Sequence, residues 1–250
     1  MSVPVGQKVT AMPAGLAVSA GRFNDLSLKG RSGLNEAVGS SHETIATQGG
    51  LMNTLTTAEQ LKVASSSAND TNSGSGHARR VRIEAIDDSG NLVKEDVNLN
   101  GTAQVTTTGS YTFVNSVRVQ KVGSGGAVNA GDISVFANNG STLLAEIKAG
   151  ENQAQKADFA VPTGHTAYLT SFMVSSTEEA LVSIWVAPNP AQTPYFQKLT
   201  VVVTAGSSNV YQLPNPFPIP GGGRMEFRAK KLGSTDAKVS ADFQILLEVD

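Results

Sequence analysis

The chain of 250 residues contains no cysteine. That absence excludes a disulfide scaffold, a zinc site with thiolate ligands and any chemistry that uses a thiol nucleophile. Charge is also sparse, because only 16% of the residues are charged and the formal net charge is -2. With so little charge of either sign, no broad electrostatic field marks the protein for nucleic acid or for a membrane surface.

Long apolar runs are missing as well. No stretch approaches the roughly 18 uncharged apolar residues of a membrane span. Residues 1–10 lack the basic flank and the apolar segment that a secretory signal requires. The sequence therefore predicts a soluble protein that is made in the cytoplasm without a cleaved export signal.

Motifs of common catalytic and nucleotide-binding sites are not found. The three histidines, His42, His77 and His165, occur in unrelated contexts, and their spacing would not build a zinc site locally. Neither a phosphate-binding loop nor a dinucleotide fingerprint occurs, and the glycines at 221–223 lead into a strand pattern rather than a helix. We therefore predict a non-enzymatic protein with no cofactor and no metal site.

The densest basic group consists of Arg79, Arg80 and Arg82. Two interpretations compete for it, a phosphate-binding site and the solvated face of a strand. Aromatic residues do not interleave with these arginines, and acidic residues follow directly. The solvated face of a strand is the favoured interpretation.

Alternation of apolar and polar side chains dominates residues 78–249. In the first segment Val81, Ile83 and Ala85 share one face, which is the period of a half-buried strand. Turn residues follow this segment and the apolar face then resumes, so residues 80–99 are predicted to form a hairpin. Similar strands separated by turn signals continue along the chain.

The last strand has the clearest pattern, with an apolar residue at every second position over 237–249. About twelve strands and almost no helix predict an all-β fold, an antiparallel β-sandwich of jelly-roll type. A weak boundary lies at residues 149–154. The region 77–250 is therefore either one sandwich or two stacked units, 77–152 and 153–250.

The first 76 residues show no sustained period of either kind and include polar stretches such as 65–76. They form either a loosely attached N-terminus or an extended arm, over 1–76, that becomes ordered across neighbouring subunits. Scattered apolar residues favour the arm, because a solvated linker would not need them. These residues are Leu16, Val18, Phe23, Leu26, Leu28, Leu51 and Leu55.

Two further features predict contact surfaces. Trp185, the only tryptophan, alternates opposite the apolar residues of its strand and forms either a second packed layer or an interface anchor. The alternate prolines of residues 214–220 cannot join a central ladder, so this segment is predicted to be an edge or a crossover. The predicted interface residues are Leu16, Phe23, Leu26, Leu28, Leu51, Trp185, Pro216, Phe217 and Pro218.

Several short segments stand in a characteristic order along residues 50–170. They are 65–71 (SSSANDT) with Gly74 and Gly76, 81–87 (VRIEAID), 97–101 (VNLNG), 117–119 (VRV), 129–133 (NAGDI), 145–147 (AEI) and 161–169 (VPTGHTAYL). This series resembles a family of virion structural proteins encoded by tailed phages, many of them from marine and other aquatic bacteria. A looser likeness extends to the end of the chain.

The resemblance implies a particle component, above all a capsid decoration or cement protein on the outside of the phage head, and it transfers no catalytic residues. Our leading hypothesis is a homo-oligomer, a trimer, whose partners are the major capsid protein and other copies of itself. The alternative is a head-fibre, tail or baseplate component that recognises a host surface glycan. Tyr111, Tyr195 or Tyr211 would then serve as sugar platforms.

Overall fold

The computed structural model describes residues 14–73, 76–189 and 194–250. With six residues, the helix in this part of the chain, α1 (Ala14–Ser19), is far too short to cross a membrane. The strands are β1 (Leu26–Val38), β2 (Glu43–Thr44), β3 (Glu59–Ser65), β4 (Ala78–Asp87), β5 (Leu92–Asn98), β6 (Val105–Val122), β7 (Ile133–Phe136), β8 (Leu143–Ile147), β9 (Asp158–Ala160), β10 (His165–Ser176), β11 (Ala180–Ala187), β12 (Phe196–Val203), β13 (Ser207–Gln212), β14 (Pro218–Ile219), β15 (Arg224–Lys231) and β16 (Ala237–Val249).

These strands form three antiparallel sheets. Sheet 1 has the order β1-β16-β10-β13, and the short β14 also pairs with β10. Sheet 2 has the order β12-β11-β15-β2, and β9 also pairs with β15. Sheet 3 has the order β5-β4-β6-β3-β7-β8.

Sheets 1 and 2 together form a jelly roll. Both β2 and β9 pair with β15, so they act as two halves of one strand, and the roll then has eight strands in chain order. The first of the eight pairs with the last, the second with the seventh, the third with the sixth and the fourth with the fifth, all antiparallel. This nested pairing is that of a jelly roll. The predicted all-β antiparallel sandwich is confirmed.

Sheet 3 is an insertion into the roll. All six of its strands lie in the sequence between β2 and β9, the two halves of the second strand. We call this unit the inserted lobe. Residues 149–154, where a weak boundary was predicted, lead from the lobe back to the roll, and the independence of the two units stays a prediction.

Each unit has its own apolar core. Between sheets 1 and 2, the ring of Phe227 lies 5.5 Å from that of Phe172 and 5.1 Å from that of Phe243. All six strands of the lobe contribute to a second core, in which Leu61 and Ile83 are fully buried. Burial of each such side chain contributes roughly 1.5–3 kcal/mol, so packing in two places holds the chain together.

The clearest predicted elements are confirmed. Residues 80–98 form the β4–β5 hairpin in register, with Val81 opposite Val97. In β16 the alternating apolar residues are buried from Ala237 to Leu247, while Val249 lies at the strand end and is 48% exposed.

The number of strands and the arm are corrected. The described part of the chain has sixteen strands where about twelve were predicted, and β1, β2 and β3 all lie within the supposed arm. They pair with β16, β15 and β6 of the same chain, so residues 26–65 do not extend across neighbouring subunits. Gly33 interrupts the alternation of β1 because a Cβ there would lie 2.2 Å from the carbonyl oxygen of Ile45. Residues 1–13 lie outside the described part of the chain.

The polar stretch that follows β3 is ordered by one buried carboxylate. Asp70 is fully buried, and its oxygens accept hydrogen bonds from four donors. The donors are the N–H groups of Ala78 (3.0 Å), Ala130 (2.8 Å) and Gly131 (2.9 Å) and the hydroxyl of Ser65 (2.6 Å). Composition alone suggests a loose loop here, but these bonds tie it to two other segments of the lobe.

Polar side chains also fasten the lobe to the roll. Asn115 of β6 is fully buried, donates to the carbonyl of Ala160 at 3.0 Å and accepts from its N–H at 2.8 Å. Beside it, the ammonium of Lys156 lies 3.1 Å from the carboxylate of Asp158 and donates to the carbonyl of Val114 at 2.7 Å. Burial lowers the pKa of Lys156 and raises the pKa of Asp158, and each charge opposes the shift of the other.

We expect Asp70→Ala to destabilise the protein by about 3 kcal/mol or more, because it leaves several buried donors without an acceptor. Chemical denaturation measures the loss. Asp70→Asn is the matched control, since it keeps one acceptor oxygen and should retain part of the stability. Equal losses for the two variants would contradict the role of the carboxylate.

We expect Lys156→Met alone to cost about 3–5 kcal/mol, because it strands the buried carboxylate of Asp158. The double variant Lys156→Met with Asp158→Leu should recover most of that loss, since it removes both charges together. Denaturation of the single and double variants gives the coupling energy. Additive losses would show that the two groups do not act as a pair.

Candidate assembly interface

The outer face of sheet 1 carries a row of apolar side chains. Leu28 of β1 is opposite Leu246 of β16, Leu246 is opposite Tyr168 of β10, and Tyr168 is opposite Pro218 of β14. The neighbours of Leu246 along β16 are buried in the roll, so the row points away from the core. We call these four residues the apolar row, which spans roughly 14 Å at the usual strand spacing.

Polar side chains border the apolar row on both sides. On one side, Gln244 of β16 is exposed and lies opposite Ser171 of β10. On the other side is Glu248, and its hydrogen bond with the phenol of Tyr168 raises the pKa of that phenol. An apolar centre with a polar rim is the usual composition of a protein–protein contact.

Some of the predicted interface residues meet at this face. Leu26 and Leu28 of β1 lie at one edge of sheet 1, and Pro218 lies at the other, where β14 pairs with β10. Phe217 packs against the core of the roll and anchors the proline segment, and Pro216 is half-buried. The prolines therefore lie at a sheet edge, as predicted.

Other predicted interface residues do not join the row. Phe23 precedes β1 and is 48% exposed, and Leu51 follows β2 and is 58% exposed. Leu16 lies in α1, but its side chain is outside the described part of the structure. Their role in an interface stays a prediction.

Two members of the apolar row were not singled out from the sequence. Leu246 breaks the polar face of β16, and that break in an otherwise regular alternation was a usable signal. Tyr168 belongs to a run over 167–174 whose two faces both carry apolar groups. Only the register of the strands places the two residues side by side.

Trp185 lies on the outer face of sheet 2 in a second packed layer. Its ring lies 4.7 Å from the guanidinium of Arg228 and 5.6 Å, edge-on, from the ring of His42. The same guanidinium lies 4.9 Å from the ring of Tyr195 and forms an ion pair with Glu226. Cation–π contacts of this kind are strongest where water is excluded. The half-buried tryptophan is thus held by contacts within the chain.

The tyrosines considered as sugar platforms make internal contacts. Tyr111 is 4% exposed in the core of the lobe. Tyr195 stacks with Arg228, and the ring of Tyr211 stacks on that of Phe172 at 4.7 Å. Over the described residues, no three His, Asp or Glu side chains are grouped so that they could hold a metal ion.

No protein-family profile and no curated protein matches the chain. Solved structures show remote likeness only. A chain in the structure of the infectious bursal disease virus Gt strain is 11% identical in sequence to this chain. The alignment covers 89% of this chain and 72% of that chain, with a TM-score of 0.22. The STIV MCP is 8% identical, with 87% and 96% covered and a TM-score of 0.23. A Cry1Da tryptic core variant of Bacillus thuringiensis is 8% identical, with 83% and 52% covered and a TM-score of 0.22.

The viral proteins and the bacterial protein align with this chain at similarly low TM-scores. TM-scores near 0.2 do not establish a common fold, so these likenesses carry no argument about function. The assignment of sheets 1 and 2 to a jelly roll rests on their own strand pairing.

We expect stability to fall as the pH drops below about 6.5, in part because of His42. Its burial lowers the pKa of His42 from the ordinary value near 6.5, and the charges of Lys230 and Arg228 lower it further. Between the two pKa values, the unfolded chain binds a proton at His42 that the folded chain does not bind. The free energy of unfolding therefore falls as the pH drops from the unfolded pKa to the folded pKa.

Unfolding free energies measured at pH 7.5 and pH 5.5 test this effect. The difference between the two should be smaller in His42→Gln than in the unmodified protein. His165→Gln is the control, because that histidine lies at the start of β10, away from Trp185. An identical pH dependence in all three proteins would rule out His42 as the source.

Proposed function

We propose that the protein is a non-enzymatic structural component of a phage virion, a decoration or cement protein on the outside of the head. The observation that carries this proposal is the apolar row across four strands of sheet 1, bordered by polar side chains. The resemblance to virion structural proteins of tailed phages supports it. The major capsid protein and further copies of this chain are the proposed partners.

The interior of the roll supports a role without catalysis. Jelly rolls that bind small molecules keep space between their sheets, whereas here aromatic rings fill that space. The ring of Phe227 lies within 5.5 Å of the rings of both Phe172 and Phe243. We therefore expect the functional surface to lie on the outer faces of the two sheets.

The geometry of sheet 1 suits contact with a lattice. Its central strand β16 is thirteen residues long and is paired on both sides, so the outer face is a broad and rigid surface. We propose that the apolar row contacts the shell or a neighbouring copy, and that three copies associate around one lattice position. Recognition of a glycan stays the alternative, although Tyr111, Tyr195 and Tyr211 make packing contacts within the chain.

Leu246→Lys tests the proposal, since it places a charge at the centre of the apolar row. We expect the variant to bind to head particles roughly tenfold or more weakly, as for loss of a central interface contact. Purified protein is mixed with particles that lack it, and the bound fraction is measured by sedimentation. Light scattering of the free protein reports its oligomeric state.

Val202→Lys is the matched control, because Val202 is 49% exposed on β12 of sheet 2. It introduces the same charge on the other sheet and should bind normally. Thermal unfolding of both variants verifies that they fold. If Leu246→Lys binds and associates as well as the unmodified protein, the apolar row is not the assembly surface.

A further inference from the structure

A cleft of about 280 Å³ lies between β1 of the roll and strands β4 and β6 of the inserted lobe. Among the described residues that line it, five are cationic and one is a carboxylate. They are Arg31, Arg82, Lys94, Arg118, Lys156 and Glu84. Clefts between structural units are common positions for ligand sites, and a lining of mainly one charge sign raises the local concentration of counter-ions.

The carboxylates nearby are already engaged. Glu84 forms an ion pair with Arg31 and lies 3.7 Å from the ammonium of Lys94. Asp96 accepts two hydrogen bonds from the guanidinium of Arg82, at 2.6 and 2.8 Å. The buried Asp158 forms an ion pair with Lys156. The cations of the cleft therefore exceed the carboxylates that could neutralise them.

Arg118 is the cation that remains without a close carboxylate. Within the described residues, no carboxylate oxygen lies within 4 Å of its guanidinium. The strand register places Arg118 directly opposite Arg82. Like charges in that position repel each other. Asp96, which is bound to Arg82, also attracts Arg118 and offsets part of this repulsion. A bound anion would add a second attraction for Arg118.

Neutral hydrogen-bond donors line the same cleft as Arg118. Gln153 is the bridge partner of Arg118, and Ser116 is two residues before it on the same face of β6. Amide and hydroxyl groups of this kind donate to anionic oxygens. The cleft offers donors whose natural complement is an oxyanion.

We propose that this cleft binds a small oxyanion, of the phosphate or carboxylate class, through the guanidinium of Arg118. Gln153 and Ser116 supply further donors, and Lys94 and Arg82 add long-range attraction. A polyanion is not the favoured ligand, because the protein as a whole carries a net charge of -2. The site is separate from the apolar row, so it does not depend on the proposed role in a virion.

Isothermal titration of the full chain with sodium phosphate, sodium sulfate and sodium glutarate tests the site, with sodium chloride keeping the ionic strength constant. We expect saturable binding with one site per chain. Arg118→Gln should weaken binding tenfold or more, because it removes a bidentate, charge-assisted contact. Ser116→Ala should weaken it less and serves as a second variant.

Arg22→Gln is the control for net charge, because Arg22 is exposed before β1, outside the cleft, and the substitution removes the same charge. It should bind like the unmodified protein. Preference for phosphate and sulfate identifies a tetrahedral anion, whereas preference for glutarate identifies a carboxylate, such as an acidic side chain of a partner. Absence of saturable binding of all three anions, or equal weakening by Arg22→Gln and Arg118→Gln, would overturn the proposal.

Discussion

The structure depends on the contact at which the chain leaves the roll and returns to it. The N–H of Ala157 donates to the carbonyl of Ile45 at 2.9 Å, and Ala46 forms a bridge with Lys156. Next to this contact, β2 and β9 align on β15 as one interrupted strand. Closing a loop as long as the inserted lobe is entropically costly. Backbone pairing at this point offsets the cost and completes the second strand of the roll.

The same junction explains why charged groups lie inside the protein. The returning segment passes between two cores, and Lys156 and Asp158 of this segment are buried. The two groups form an ion pair there, while Asn115 binds both backbone groups of Ala160. Farther out, Arg82 of β4 and Arg118 of β6 line the cleft beside β1. A rigid connection between the units and a cationic cleft thus arise from one arrangement.

Sequence patterns predicted the strands that alternate regularly and missed strands that are very short or have a broken pattern. The β4–β5 hairpin and β16 alternate regularly and were predicted closely. β1 was missed because Gly30 and Gly33 break its pattern, and β2 has only two residues. The insertion and the apolar row arise from pairing between distant segments, which periodicity does not encode. Leu246 left a local signal, as an apolar residue on a polar face.

The pairing of β1 with β16 also sets the order in which the protein can form during synthesis. Leu26 pairs with Glu248, so the edge of sheet 1 stays open until β16 has been made. The strands of the inserted lobe, by contrast, end at Ile147 and pair only with one another. Contacts between distant segments form slowly, and domains fold as units while the chain grows. The strands of the lobe can therefore pair with one another before β16 exists, whereas β1 waits until β16 has been made.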